Sequence, residues 1–255
     1  MALELVTIPC LKDNYAYLIH DAATGATAVI DVPEAPPILA ALQSRGWTLT
    51  DILITHHHWD HIDGVADVRA ATGAAVWGAA ADAHRLPPLD HALAEGDGVT
   101  IGTETGTVID VPGHTVGHIA FYFPASHLVF TADSLMAAGC GRLFEGTPAQ
   151  MWDSLSKLAA LPTETTVCSG HEYTASNIRF ALSLEPDNAA LILRSERVAS
   201  ARKDGLPTVP STLDEERATN PFLRAFLPQV KAAIGLPDAT DTDAFAEIRS
   251  RKDRF

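Results

Sequence analysis

Thr55-His56-His57-His58-Trp59-Asp60-His61 follows directly on the apolar, β-branched run Ile52-Leu53-Ile54, so a buried strand ends where side chains of metal-ligand type begin. Alternate side chains of extended chain share a face, which lets His56 and His58 address one ion while His57 points away. Asp60 and His61 fall on the turn into a following helix, within reach of a second ion. Imidazole and carboxylate donors together suit zinc, iron or manganese.

The same arrangement, an apolar strand that stops on a His or Asp, recurs at His114, Asp133 and His171. A single such residue is ordinarily a turn former or a cap. Recurrence points instead to side chains collected at the carboxyl ends of strands, where open α/β sheets form their sites. Around these points the chain reads as alternating elements. Strands at 3–8, 15–20 and 27–31 suggest an antiparallel meander, and a helix opens at Pro36-Pro37 and stops at Gly46. A helix at 62–72, a strand at 74–78 and a loop at 86–98 follow, then a strand at 107–111 and a hairpin at 119–123 and 128–131. A helix at 148–160 leads to a strand at 165–168, and beyond Tyr173 the strand patterns stop. Helices are expected at 175–184, 189–203 and 242–251, linked by a Pro-rich stretch at 205–213 and by Asn220-Pro221. Two domains are therefore expected, 1–172 carrying the ligand-type residues and 173–255 helical.

Nearly half of the 255 residues are hydrophobic, enough for a full-sized core, and the formal net charge is −14. That surplus of acid speaks against nucleic acid as a partner, because phosphate binding needs an excess of Lys and Arg. Three Cys without framework spacing read as reduced thiols of a cytoplasmic protein. Met1-Ala-Leu-Glu-Leu-Val-Thr-Ile-Pro9 has no basic segment ahead of an apolar one, so no signal peptide is expected, and no run is long enough for a membrane span. No obligate protein partner is expected. There is no GxSxG elbow and no Cys set beside a His, which argues against a covalent acyl-enzyme.

THHHWDH fits the HxHxDH signature of the metallo-β-lactamase superfamily. The chain further resembles glyoxalase II, the hydroxyacylglutathione hydrolases, through Leu11-Lys-Asp-Asn-Tyr15, Val111-Pro-Gly-His-Thr115, Gly139-Cys-Gly-Arg142 with Glu145-Gly146, Gly170-His-Glu-Tyr-Thr174, Asn220-Pro-Phe-Leu-Arg224, and Arg249 with Lys252-Asp253. The resemblance implies an α/β fold, a four-layered αββα sandwich with an α-helical C-terminal domain for glutathione recognition. It implies two divalent ions per chain, expected to be zinc, with iron and manganese accepted by the same donors. His56, His58 and His114 would hold the first, Asp60, His61 and His171 the second, and Asp133 would bridge them. The catalytic residues would be Asp60 and Asp133. Glutathione would meet Arg142, Phe144, Tyr173, Arg249 and Lys252. Two positions depart from the family pattern, which often has Lys at Arg142 and Tyr at Phe144; the first keeps the charge with different geometry, the second lacks a hydroxyl donor.

The activity so implied is hydrolysis of S-(2-hydroxyacyl)glutathione, S-D-lactoylglutathione above all, to glutathione and a 2-hydroxy acid, the last step of methylglyoxal detoxification. Hydroxide shared by the two ions would be the nucleophile, and a thiol of pKa about 8.5 departs as thiolate without a dedicated general acid. Four basic residues in the last seven positions of an acidic chain suit a dianionic peptide, although cations at a helix C-terminus also complement its dipole. The alternative is a glutathione persulfide dioxygenase of the same superfamily, with a single iron.

Overall fold

The computed structural model describes residues 2–255; Met1, with which the expected 1–172 domain begins, lies outside the described residues. The chain forms two compact units, one running to Asp110 and including Val116–Ala132, the other made of Val111–Thr115 and Asp133–Phe255.

The first unit contains a sheet of six strands in sequence order, β1 (Glu4–Cys10), β2 (Asn14–His20), β3 (Thr27–Ile30), β4 (Asp51–Leu53), β5 (Ala75–Ala79) and β6 (His91–Leu93). The first three form the expected antiparallel meander, and β3 to β6 run parallel. Parallel neighbours need crossovers, and helices supply them. Helix α1 (Ala35–Arg45) opens on prolines at its first turn and ends where Gly46 takes φ 66°, the left-handed conformation that glycine enters without strain. Val29, Ile52 and Val76 on successive strands are buried together with Ile38 and Leu42 of α1. Each such side chain contributes about 1.5–3 kcal/mol through burial.

The single helix expected over 62–72 is two, α2 (Trp59–Ile62) and α3 (Val65–Thr72). Gly64 separates them, and a Cβ there would stand 2.8 Å from atoms of Val32, Glu34 and Ala35. The loop expected at 86–98 contains β6, whose three residues become a strand by pairing with β5. Four antiparallel strands, β7 (Gly98–Ile101), β8 (Glu104–Asp110), β9 (Ile119–Phe123) and β10 (Leu128–Ala132), make a second layer of sheet in this unit. The hairpin β9–β10 has the register Phe123↔Leu128.

The second unit holds a short hairpin, β11 (Leu135–Met136) with β12 (Gly139–Cys140), then α4 (Pro148–Ala159), β13 (Thr166–Ser169), α5 (Thr174–Leu184), α6 (Ala189–Lys203), β14 (Ser211–Thr212), α7 (Leu213–Thr219), α8 (Pro228–Ala233) and α9 (Asp241–Asp253). Thr147 and Gln150 close a capping box on α4, worth about 1 kcal/mol. Strand patterns do not stop at Tyr173: the Pro-rich stretch supplies β14, antiparallel to β13 with Thr166 opposite Thr212. Two residues cannot announce a strand by periodicity; the waiting edge of β13 decides it. Ile178 and Ala181 of α5 pack with Leu191 and Val198 of α6, and Phe245 of α9 meets Trp152 of α4 and Phe222. The mixed sheets and helical C-terminal part give the expected α/β class. Among the described residues no helix is long and apolar enough to cross a membrane.

Candidate metal centre

In the first unit the four ligand candidates of the histidine-rich turn come together. His56 and His58 lie in extended chain after β4, with His56 Nε2 3.2 Å from His58 Nδ1. Two donors bound at about 2.1 Å to one tetrahedral ion stand about 3.4 Å apart, so this pair has the spacing of neighbouring ligands. Asp60 and His61 occupy α2, with His61 Nε2 3.9 Å from Asp60 Oδ2. The Asn14 amide donates to that carboxylate oxygen at 3.1 Å and to the Asp60 carbonyl at 3.0 Å, which fixes the start of the helix. His57 turns elsewhere, its Nδ1 2.9 Å from Asp82 Oδ2, and Arg85 closes on the other Asp82 oxygen at 2.6 Å. The buried His118 ring stacks on His56 at 4.6 Å and holds its plane.

Asp31 organises this turn from beneath. Its carboxylate accepts from the Thr55 backbone N–H, the Thr55 hydroxyl and His61 Nδ1, each at 2.8 Å. Because Nδ1–H is donated, the His61 lone pair is on Nε2. With both oxygens engaged, Asp31 lies behind the donors rather than among them, and its backbone sits at φ 56°, a sparsely populated region that tertiary contacts must maintain. Asp31→Ala is expected to weaken metal affinity by about 10–100-fold, read by competition with a chelator. Unchanged affinity would show that His61 needs no such support.

In the second unit His114, Asp133 and His171 converge and are buried. Asp133 Oδ2 lies 3.4 Å from His114 Nε2 and 3.3 Å from His171 Nε2. One carboxylate oxygen between two imidazole nitrogens, at the separation two donors on one ion would have, matches a shared ligand. The His114 Nδ1–H donates to the Arg142 carbonyl at 2.8 Å, which puts the lone pair on Nε2. The donor set in each unit therefore fits divalent metal by chemistry, tautomer and spacing.

Beside these ligands stand two exposed aromatic rings. Tyr173 stacks on His171 at 4.7 Å and Phe144 meets His114 edge-on at 5.3 Å. The side chain of Arg142 is exposed, with Nε 3.5 Å from Asp253 Oδ1, and Arg249 Nη2 donates to the same oxygen at 2.9 Å. Arg249 is itself buried, and its Nη1 donates to the Cys140 carbonyl at 2.9 Å. Lys252 Nζ donates to the Ser176 carbonyl at 3.2 Å and lies over the rings of Phe180 and Phe255. Partial burial, with the guanidinium groups of Arg249 and Arg179 nearby, pulls its pKa down to about 8.

The thiols take no part. Cys10, Cys140 and Cys168 are buried, and burial raises all three, Cys140 to about 11, so none is a thiolate at neutral pH. Sequence reasoning missed Asp31, Asp82 and Asp253 as supporting residues. Asp31 carried a usable signal, since Val29-Ile30-Asp31 is one more apolar strand that stops on an acid.

A family model described as the metallo-β-lactamase superfamily matches residues 13–171, and one described as the hydroxyacylglutathione hydrolase C-terminus matches 172–255. The hydroxyacylglutathione hydrolase of Fuscovulum blasticum is 69% identical over 255 residues, the whole of both chains, and that of Ruegeria pomeroyi 62% over the whole of both. Among solved structures, ETHE1 from Myxococcus xanthus has a TM-score of 0.66 at 25% identity, covering 98% of this chain and 90% of that one. The TTHA1623 protein in a di-iron-bound form has a TM-score of 0.57 at 31% identity, covering 66% of this chain and 91% of that one. The BLEG-1 B3 metallo-β-lactamase shares the fold, with a TM-score of 0.68 at 24% identity over 86% of this chain and 99% of that one. The fold is the four-layered αββα metallo-β-lactamase sandwich followed by an α-helical domain.

Proposed function

The chain belongs to the hydroxyacylglutathione hydrolase family of the metallo-β-lactamase superfamily, and from that premise we propose that it hydrolyses S-(2-hydroxyacyl)glutathione, S-D-lactoylglutathione foremost, to glutathione and a 2-hydroxy acid. Agreement with named hydroxyacylglutathione hydrolases over the full length of both chains is the observation that carries this reading. We assign the metal chemistry to 1–172 and glutathione recognition to 173–255 with Arg142 and Phe144. The three buried thiols favour a cytoplasmic setting.

Two divalent ions, zinc foremost, would be held by His56, His58 and His114 for the first and Asp60, His61 and His171 for the second, with Asp133 as the shared ligand. The relative in a di-iron-bound form supports a count of two. When bound, such ions supply Lewis acidity toward the acyl oxygen and lower the pKa of water toward neutrality. The protein's part is to hold the ligands in one geometry. Asp31 fixes the His61 tautomer, the Arg142 carbonyl fixes that of His114, and Asn14 holds Asp60 Oδ2 where it can also accept a proton from the attacking water. Tyr173 and Phe144 offer apolar faces beside the reacting group, Arg142 and Lys252 answer the carboxylates of glutathione, and the buried Arg249 holds Asp253 beside Arg142.

Lys252 gives this assignment a pH test. Its ammonium is charged below about 8 and loses its proton as pH rises through that value. Attraction for a carboxylate is then lost, and KM should rise about fivefold between pH 7 and 9.5, a change near 1 kcal/mol for a half-exposed ion pair. Lys252→Arg, charged throughout, should flatten the rise; the same rise in that variant would free Lys252 from substrate binding.

The function itself is tested by a thioester assay on purified protein with metal content measured in the same sample. Turnover of S-D-lactoylglutathione with two metals per chain is expected. Oxygen uptake with glutathione persulfide and a single iron would replace this reading with the dioxygenase.

A further inference from the structure

The hairpin β11–β12 is too short to hold itself. It has two cross-strand pairs, Leu135↔Cys140 and Met136↔Gly139, and its turn residue Ala138 takes φ 54°, a left-handed conformation that a side chain disfavours. Buried side chains from the helices hold its backbone instead. Glu216 Oε2 accepts from the Ala138 N–H at 2.8 Å, and Asn220 Nδ2 donates to the Met136 carbonyl at 3.1 Å, the Gly139 carbonyl at 2.9 Å and Glu216 Oε2 at 3.0 Å. Asn177 Nδ2 donates to the Ala137 carbonyl at 3.0 Å, and Arg249 reaches that of Cys140. Arg194 Nη2 donates to the other Glu216 oxygen at 2.5 Å, and Glu216, Asn220 and Arg194 are all buried.

The hairpin's neighbours in the chain are what give this clamp a purpose. Asp133 lies two residues before β11, and Arg142, whose carbonyl orients His114, lies two residues after β12. The Gly141 N–H donates to the Ser134 carbonyl at 3.2 Å and closes the neck between them. A displaced hairpin therefore displaces Asp133 and the Arg142 carbonyl together. Glu216 and Asn220 direct their bonds to groups some 80 residues away in sequence, on the hairpin that joins those two neighbours.

We propose that Glu216 and Asn220, with Arg194 behind them, are positioning residues of the metal centre, clamping the 135–140 hairpin so that Asp133 and His114 keep their separation. The proposal rests on the reading that His114, Asp133 and His171 bind metal. Its test uses the full-length protein as Glu216→Gln, Asn220→Ala and Glu215→Gln. Glu215 also pairs with Arg194, at 3.3 Å, without touching the hairpin. Cobalt(II) is the probe, with affinity taken from chelator competition and ligand geometry from the visible spectrum. Glu216→Gln and Asn220→Ala are expected to bind cobalt at least tenfold more weakly with an altered spectrum, and Glu215→Gln to match wild type. Wild-type affinity and spectrum in both hairpin variants overturn the proposal whatever their melting temperatures; if Glu216→Gln does not fold, Asn220→Ala decides. Wild-type protein that takes up no cobalt overturns the underlying metal reading, and this proposal with it.

Discussion

Asp133→Ala is expected to lose both metals together and to lower kcat/KM by about 10⁴-fold or more, close to 5.5 kcal/mol of transition-state stabilisation. Its Oδ2 lies within 3.4 Å of His114 Nε2 and 3.3 Å of His171 Nε2, two imidazoles assigned to different ions. On that assignment, removing the carboxylate would take a ligand from each ion at once. It would also remove a negative charge that both dications share, so the loss would exceed that of a terminal ligand. Metal analysis of the purified variant beside a thioester assay provides the check. A variant that keeps one ion at full occupancy would make Asp133 a ligand of the other alone, and one that keeps both would remove it from the centre.

What the sequence made legible is the rule behind these ligands: an apolar strand stops and a His or Asp follows. Periodicity reveals where a strand ends, and the chemistry of the next residue is written beside it. Helices α1 and α6, with their glycine stop and long pattern, were readable for the same local reason. The support beneath the ligands was not. Asp31 obeys the strand-end rule, but an acid there is ordinarily a turn former. Its role emerges from the Thr55 and His61 groups that meet it 24 and 30 residues on.

Arg194 reads as an ordinary polar position of the 189–203 helix and Glu216 falls on no expected element, and nothing local says that the two are buried against one another. Arg249 shows the limit from the other side. A basic residue near the chain end suggested substrate binding or a helix dipole, yet its guanidinium is inside, divided between the Cys140 carbonyl and Asp253. Strands β6 and β14 escaped because three and two residues carry no period, and their partner strands create them.

Gly141→Ala should lower kcat/KM about 100-fold, although it adds only one methyl group to a residue that brings no side chain to the centre. A Cβ at Gly141 would stand 1.9 Å from the Asp133 carbonyl oxygen and 2.9 Å from His114 Nδ1. Neither neighbour is the loose end of a flexible chain: one is backbone, and the other is an imidazole held by the Arg142 carbonyl at 2.8 Å. Relief requires that the Asp133 peptide or the His114 ring move by about 1 Å, and misplacement of that size costs on the order of 100-fold in rate. Gly141 belongs to neither hydrophobic cluster described above, so the variant should stay folded while its metal content falls and kcat/KM drops about 100-fold. Circular dichroism, metal analysis and turnover on one sample separate these effects. Full metal occupancy with a rate within about twofold of wild type would mean that the ligand pair tolerates displacement, and the requirement for glycine between β12 and Arg142 would fall.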